Sequence, residues 1–458
     1  MSRTLLVKTG ITALLALLLL IPLAGVESIV RERIGLRDSV VANIQQSSVT
    51  TQRLVGPILV VPFQKTIIDV VVDTKAGVST RTSRTEDGQL LLLPQHLDVN
   101  SEATTQKRYR GIYSALLYDT KNILTGKFIV PPDFGINNPT PETVKYSFGE
   151  AHVALGMDDP RGIRGGLELQ WNAAQHAFEG GTGAAPLPNG VHASVGRLSP
   201  NGVDHHFSIA LHMQGAQTLE LVPTGQTTTF SLRSTWPHPS FMGQFLPESH
   251  AINAAGFEAV WRTSRLATNM EQALQSCNGQ HDCPALLAKT AGVAFVEPVD
   301  IYLMLERSAK YGFLFVAFTF VLFSLFELLK RLAIHPVQYA LVGVALAMFF
   351  LLLVALSEHL AFGLAYAIAA SSCVLLLAFY VSYVLRGIKR AAGFASLLAL
   401  LYGALYVLLQ SEDMALLLGA ILLFGILAAI MVLTRRIDWY RLTAAPVPVE
   451  TKQQQPQQ

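Results

Sequence analysis

Charge and cysteine are both scarce in this chain of 458 residues: 14% of positions are charged and 3 are cysteine. So little charge, with 51% hydrophobic residues and a mean hydropathy of +0.39, argues against a wholly soluble protein. No basic block is large enough for a nucleic-acid footprint, so no nucleic-acid partner is expected. Also missing are Gly-x-x-x-x-Gly-Lys-Ser/Thr, Gly-x-Ser-x-Gly and His-Glu-x-x-His. Their absence removes the signatures of nucleotide, serine-hydrolase and zinc-peptidase chemistry, and no cofactor, metal or catalytic residue is expected.

What the chain does have is apolar length. A helix of ~20 apolar residues crosses the hydrocarbon core. The candidates are Gly10–Val26, Tyr311–Leu329, Val337–Leu356, Leu360–Leu385, Ala391–Leu409 and Ala415–Leu433. The near-continuous succession of the last five argues against buried helices of a soluble core. The first could be a signal peptide, since Arg3 and Lys8 precede Ile11–Leu23. Cleavage after Gly25 would need a small residue where Leu23 stands, so an uncleaved anchor is the expected reading and a cleaved leader the alternative.

Short loops rich in Lys and Arg stay in the cytoplasm. Lys330 and Arg331 follow the second span, Arg386, Lys389 and Arg390 follow the fourth, and Arg435, Arg436 and Arg441 follow the last. The intervening tips Ser357–His359 and Gln410–Met414 lack Lys and Arg and carry Glu358, Glu412 and Asp413. The alternation places both termini in the cytoplasm and the long middle region outside. Arg307 and Lys310 run against it, but they belong to the large translocated region, where charge counts little. Trp439 and Tyr440 fit an interfacial aromatic belt. The Pro/Gln-rich tail Val447–Gln458 is too poor in apolar residues to fold.

The fold class expected is therefore a membrane protein with six transmembrane α-helices, one N-terminal and five C-terminal, plus a large β-rich α+β domain inserted after the first. Its divisions are 1–31, a cytoplasmic stub and anchor; 32–308, the external domain; 309–441, a five-helix bundle; and 442–458, a disordered tail. In the external domain Phe207, Ile209, Leu211 and Met213 alternate with His206, Ser208, Ala210 and His212, the period of a half-buried strand. Leu167, Leu169 and Trp171 alternate likewise, as do Leu219 and Leu221, and Ile58–Val61 and Ile67–Val72 read as buried strands. Asn269–Leu287 suggests a short helix. Gly180–Pro200, rich in Gly, Pro and Ala, reads as a long loop, with two subdomains as an option on either side.

Candidate chemistry is thin. Cys277 and Cys283 bracket a short polar loop with Asn278 and Gly279, and a disulfide is predicted, as an oxidising compartment would preserve. A metal site with His281 is the lesser alternative, because ligands are few. Cys373, within a span, reads as a packing residue. His206 and His212 share a strand face but stand about 20 Å apart, too far for one ion, so His205, His206 and His212 read as solvent-facing. Asp158-Asp159-Pro160-Arg161-Gly162 reads as a turn with a local ion pair rather than an acid/base dyad.

The most unusual external segment is Ser234–Pro247, where two prolines stiffen the backbone around His238. Trp236, His238, Phe241 and Phe245 are the candidate partner-binding residues; a structured loop packed on a sheet is the plainer reading. His238 with Ser240 lacks a neighbouring carboxylate, which weakens nucleophilic catalysis. The span interiors carry no charged residue at mid-depth, which weakens ion-coupled transport. Glu327 near the cytoplasmic end is expected to pair with Lys330 or Arg331.

Several motifs carry a family resemblance: Leu54-Val-Gly-Pro-Ile-Leu-Val-Val-Pro62, Arg161-Gly-Ile163, Trp236-Pro-His-Pro-Ser-Phe241 with Phe245-Leu-Pro247, His335-Pro-Val-Gln-Tyr339, Leu356-Ser-Glu-His359 and Arg436-Ile-Asp-Trp-Tyr440. Together with the order of spans, they make the chain resemble the CreD family of bacterial inner-membrane, cell-envelope integrity proteins. Cys277 and Cys283 do not belong to that pattern. The resemblance implies a periplasmic location for the external domain and a stress-responsive role in envelope integrity. It carries no catalytic residues. The expected partners are the lipid bilayer and an envelope protein or cell-wall component, and the expected function is non-enzymatic. A transporter or lipid-handling protein working through the bundle is the alternative. A periplasmic hydrolase lacks its acid and base, and loop size excludes a sensor kinase.

Overall fold

A computed structural model of the chain describes residues 10–11, 14–15, 17–49, 51–73, 78–187, 189–277, 283–297, 301–330, 334–384, 387–411 and 414–435. Arg331, Arg386, Arg436, Arg441, Glu412, Asp413, His281, Trp439, Tyr440 and the tail Val447–Gln458 lie outside them. The chain gathers into two compact units, Ser39–Pro298 and Met1–Asp38 with Val299–Gln458.

Helix α1 (Leu20–Ser47) leads into the first of these units. The strands follow as β1 (Gln52–Asp73), β2 (Val78–Leu92), β3 (His96–Arg110), β4 (Tyr113–Ile129), β5 (Val144–Phe148), β6 (Ala151–Met157), β7 (Glu168–Trp171), β8 (Ala174–Ala177) and β9 (Glu179–Gly180). Then come β10 (Gly190–Gly196), β11 (Asp204–Ala216), β12 (Thr218–Val222), β13 (Thr227–Ser234), β14 (Pro239–Gly243), β15 (Ser249–Asn253), β16 (Gly256–Ser264) and, after helices α2 (Met270–Ser276) and α3 (Pro284–Leu287), β17 (Ala291–Phe295). One sheet runs β14-β17-β12-β1-β6-β10-β9, with β2 and β5 also paired to β1; the other runs β15-β16-β13-β3-β4-β11-β7-β8.

The period of two seen in the sequence decides the layering. On β11, Phe207, Ile209, Leu211 and Met213 are buried while Ala210 and His212 are exposed. These residues join Leu97, Val99, Leu124 and Phe128 of the same sheet in one core with Leu59, Val61, Val153 and Leu155 of the other. Each such side chain contributes roughly 1.5–3 kcal/mol by leaving water. The single shared core leaves no division into subdomains. Gly180–Pro200 is not a continuous loop either: β10 lies between β6 and β9, and Val191 and Ala193 alternate into the core. Its small residues suit close sheet packing, which composition alone reads as a loop.

The other face of the first sheet carries Val55, Ile58, Val60 and Ala154, covered by Met270, Cys277, Cys283 and Leu286. Cys277 and Cys283 are joined in a disulfide. Within the Leu54–Pro62 motif, the register with β6 shifts between Val55 and Ile58, and the Gly56–Pro57 bond is cis. Gly56 has φ of +114°, and the Ala154 carbonyl oxygen stands 3.0 Å from where a Cβ would sit, so this bulge requires glycine.

The other unit is helical: α4 (Ile301–Lys330), α5 (Pro336–Ser357), α6 (Phe362–Val384), α7 (Ile388–Gln410) and α8 (Ala415–Thr434). Among the described residues, 4 helices are long and apolar enough to cross a membrane, namely Ile301–Leu325, Pro336–Ser357, Phe362–Val384 and Ile388–Gln410. Leu417–Val432 is a shorter apolar helix. The centre of the bundle is aromatic, with Tyr402 lying 4.4 Å from Phe315 and 4.6 Å from Phe349 between ring centroids. Tyr402 donates to Cys373 Sγ at 3.2 Å, and Tyr366 donates to the Tyr402 carbonyl at 2.7 Å. Cys373 is itself buried.

Leu19, Leu23 and Val26 of the first apolar segment, with Val30 just beyond it, pack into this same bundle core. Two glycines admit them. Leu23 Cδ2 lies 3.2 Å from where a Cβ on Gly312 would stand, and Leu19 Cδ1 occupies the space that a Cβ on Gly343 would need. The helix then continues to Ser47, beyond the expected domain start at residue 32.

Candidate functional site

The Trp236–Phe245 segment forms the edge of one sheet and leads to the edge of the other. It enters from β13, forms β14 at the end of one sheet, and passes through Leu246 and Pro247 into β15 at the end of the other. β14 pairs with β17 through Pro239↔Phe295 to Gly243↔Ala291, and β15 pairs with β16 through Ser249↔Val260 to Asn253↔Gly256. Each has a strand neighbour on one side.

The aromatic residues divide into inward and outward groups. Trp236 is half-buried; its Nε1 donates to the Val296 carbonyl at 3.0 Å, and its backbone N–H donates to Ser234 Oγ at 3.2 Å. Phe241 is half-buried between rings, with centroids 5.2 Å from His250, 5.8 Å from Trp261 and 5.9 Å from Phe257. Phe245, also half-buried, donates its amide to the Thr290 carbonyl at 3.1 Å. His238 is exposed, and its ring stands edge-on to Trp236 at 6.1 Å. The exposed large aliphatic residues of the same edge are Leu246, 69% exposed, and Ile252, 48% exposed. Sequence reasoning missed these two. An isolated Leu and Ile look like core until the pairing of β15 is known.

The Asp158–Gly162 turn resolves into a structural device. Asp159, 7% exposed, takes both prongs of Arg161: Nε donates to Oδ1 at 2.9 Å and Nη2 to Oδ2 at 2.7 Å. Arg161 Nη1 also donates to the Gln46 carbonyl in the last turn of α1, at 3.1 Å. Gln52, 1% exposed, donates to the Asp159 carbonyl at 2.8 Å. Gly162 lies in close quarters, with Val49 Cγ1 3.2 Å and the Gln214 carbonyl oxygen 2.5 Å from where a Cβ would be. The two carboxylates do not face each other as a dyad. Asp158 instead lies 3.9 Å from Arg53.

The three histidines of the sequence search do not converge. His205 stacks on Trp171 at 5.0 Å and contacts Asn172 Nδ2 at 3.1 Å; burial lowers its pKa, with Asp204 opposing. A different pair, His152 and His192, meets at 5.2 Å between ring centroids. Burial lowers the pKa of His152, the charge of His192 adds to this, and the Thr182 backbone opposes it. No group of three or more His, Cys, Asp or Glu that could hold a metal occurs among the described residues.

Several polar contacts of the helical unit lie at the ends of its helices. Arg33 of α1 pairs with Glu358, at the α5–α6 tip, at 3.2 Å. Glu327 of α4 accepts from Tyr339 Oη at 2.7 Å and from the Ile334 amide at 3.2 Å. His335 caps α5 by accepting from the Val337 amide at 3.3 Å, while Gln338 reaches back to the His335 amide at 3.1 Å. The His335–Tyr339 motif thus caps α5 and ties it to Glu327 of α4.

The profile of the family described as Inner membrane protein CreD matches residues 4–440. The inner membrane protein CreD of Escherichia coli (strain K12) is 34% identical over 426 residues, which cover 93% of this chain and 91% of that one. Solved structures align only in part. An M1 zinc metallopeptidase of Deinococcus radiodurans is 10% identical over 37% of this chain and 38% of its own, with a TM-score of 0.18. A Legionella pneumophila protein described as a candidate nutrient-binding protein is 10% identical over 47% of this chain and 72% of its own, with a TM-score of 0.21. Likeness at that level carries no argument. With 4 helices of spanning length and a match along nearly its whole sequence, the chain is a multi-pass inner-membrane protein and belongs to the CreD family.

Proposed function

We propose that the protein maintains cell-envelope integrity without enzymatic chemistry, by binding another envelope component through the edge formed by β14, Leu246–Pro247 and β15. The observation that carries this reading is β15, where all 5 residues are exposed along a strand paired on one side. An extended partner segment can add to such an edge through main-chain hydrogen bonds. Trp236, Phe241 and Phe245 hold the edge from behind, while His238, Leu246 and Ile252 meet the partner.

The orientation that goes with this reading has six spans, both termini cytoplasmic and the β-sandwich in the periplasm. Its supports are the loop charges, the packing of Leu19 and Leu23 within the bundle, and the Arg33–Glu358 pair at one end of the helical unit.

A photo-activatable cross-linker placed at Leu246 or Ile252 in growing cells is expected to capture one discrete envelope component. Loss of the protein is expected to raise detergent and antibiotic sensitivity. No adduct from either position, with sensitivity unchanged, defeats the proposal.

One observation favours a second reading, lipid handling by the bundle: an apolar cavity of about 220 Å³ bordered by Tyr311, Phe315, Leu401, Leu405, Gly419 and Leu423. Lipid flux in reconstituted vesicles, abolished by Gly419→Phe, supports it. Rescue of cells by the β-sandwich on a foreign anchor removes it.

A further inference from the structure

The tip of the β3–β4 hairpin is exposed and basic. Every residue from Gln106 to Ile112 is exposed. Lys107, Arg108 and Arg110 are clustered there, with no acidic residue between Glu102 and Asp119. Beside them stand Tyr109, 70% exposed, and Ile112, 45% exposed. Exposed apolar side chains on a soluble surface are ordinary when scattered, but these two sit at the apex of a finger among cations.

The tip is also tethered. Arg110 hydrogen-bonds the side chain of Asn43, and Lys107 pairs with Glu297 at 2.9 Å. Asn43 belongs to α1, whose earlier residues pack in the helical bundle, and Glu297 shortly precedes α4. At ~3.5 Å per residue, the connector from Glu297 to Ile301 reaches no further than roughly 14 Å. The hairpin is thus fastened to both stretches of chain that lead to membrane helices.

The chemistry suits one partner. A two-stranded apex is too small for the ~800 Å² that a specific protein interface buries on each side. A lipid surface asks for less: each Lys or Arg near an anionic leaflet adds about fivefold to association, and tyrosine with a branched aliphatic side chain settles at headgroup depth.

We propose that the β3–β4 tip docks on the protein's own bilayer, with Arg108 against anionic phospholipid headgroups and Tyr109 and Ile112 at the interface. The docking rests on the membrane-protein reading and not on the envelope-component reading. It braces the sandwich against the membrane at a point separate from the helices.

The test uses the full chain in nanodiscs of phosphatidylcholine alone or of phosphatidylcholine with phosphatidylglycerol. An environment-sensitive fluorophore is attached at Ile112→Cys; Cys277 and Cys283 are bonded to each other and Cys373 is buried. The expected result is a blue-shifted emission, quenched by brominated acyl chains, in the phosphatidylglycerol discs, which high salt reverses. Arg108→Glu, which alters no ion pair among the described residues, is expected to abolish the quenching while leaving the unfolding temperature unchanged. Emission that is identical in the two lipids and unquenched overturns the proposal. So does a blue shift that survives without quenching, the mark of a protein contact.

Discussion

Arg161 reaches the end of α1, donating to the Gln46 carbonyl at 3.1 Å while the rest of its guanidinium is clamped on Asp159. The last carbonyls of a helix lack intrahelical donors, and a cation there both fills one and opposes the helix dipole. Arg161 therefore fastens α1 to the sandwich.

Arg161→Ala is expected to lower the unfolding temperature and to open the connector between α1 and β1 to protease. Arg161→Lys should recover only part, because an ammonium cannot hold Asp159 with two prongs and Gln46 at once. Equal cleavage rates in all three proteins would show the latch to be idle.

The Leu19–Gly343 contact predicts a reciprocal pair of substitutions. Gly343→Val places atoms where Leu19 lies, and overpacking of this kind costs roughly 1–3 kcal/mol. Adding Leu19→Ala should return much of that stability, measured as the unfolding midpoint in detergent. Additive losses would mean that the first apolar segment does not pack there.

Reduction of the Cys277–Cys283 bond, or Cys277→Ser with Cys283→Ser, is expected to cost about 2 kcal/mol for so short a loop. Both sulfurs face the outer side of the first sheet, so the loss should be seen as faster hydrogen exchange in β1 and β6. Unchanged exchange in those strands would contradict the packing assignment.

His152 makes stability depend on pH with a definite sign. Burial and His192 place its folded pKa below the ordinary 6.5, so the unfolded chain takes up protons first. Its contribution is present above pH 6.5 and is lost as pH falls through that value toward the folded pKa. Denaturant midpoints on either side of this window should fall on acidification, and His152→Gln should flatten the slope. An unaltered slope in that variant would assign the effect to other groups.

Four of the expected spans were legible because apolar runs carry their own signal, and β11 because Phe207, Ile209, Leu211 and Met213 alternate without a break. What sequence could not reveal depended on distant partners. The run of α1 to Ser47 is polar along much of its length, and its supports, Glu358 and Arg161, lie far along the chain. The turn at Asp159 was readable as a local ion pair, whereas the Gln46 carbonyl, 115 positions from Arg161, was not. Prolines marked Trp236–Phe245 as stiff, but its place at the edge of a sheet follows from β17. Small residues hid β10 as a loop, because glycine and alanine serve tight sheet packing and turns alike.

β17 also sets when the first sheet can be completed during synthesis. β1 pairs in parallel with β12, while β12 and β14 each pair antiparallel with β17, so the first sheet joins residues from Gln52 to Phe295. A nascent chain that stops short of Phe295 leaves β12 and β14 each without this neighbour. Such long-range pairings close late and slowly. Since α4 follows at Ile301, the ribosome delivers the strand that completes the sandwich and the helix that enters the membrane almost together.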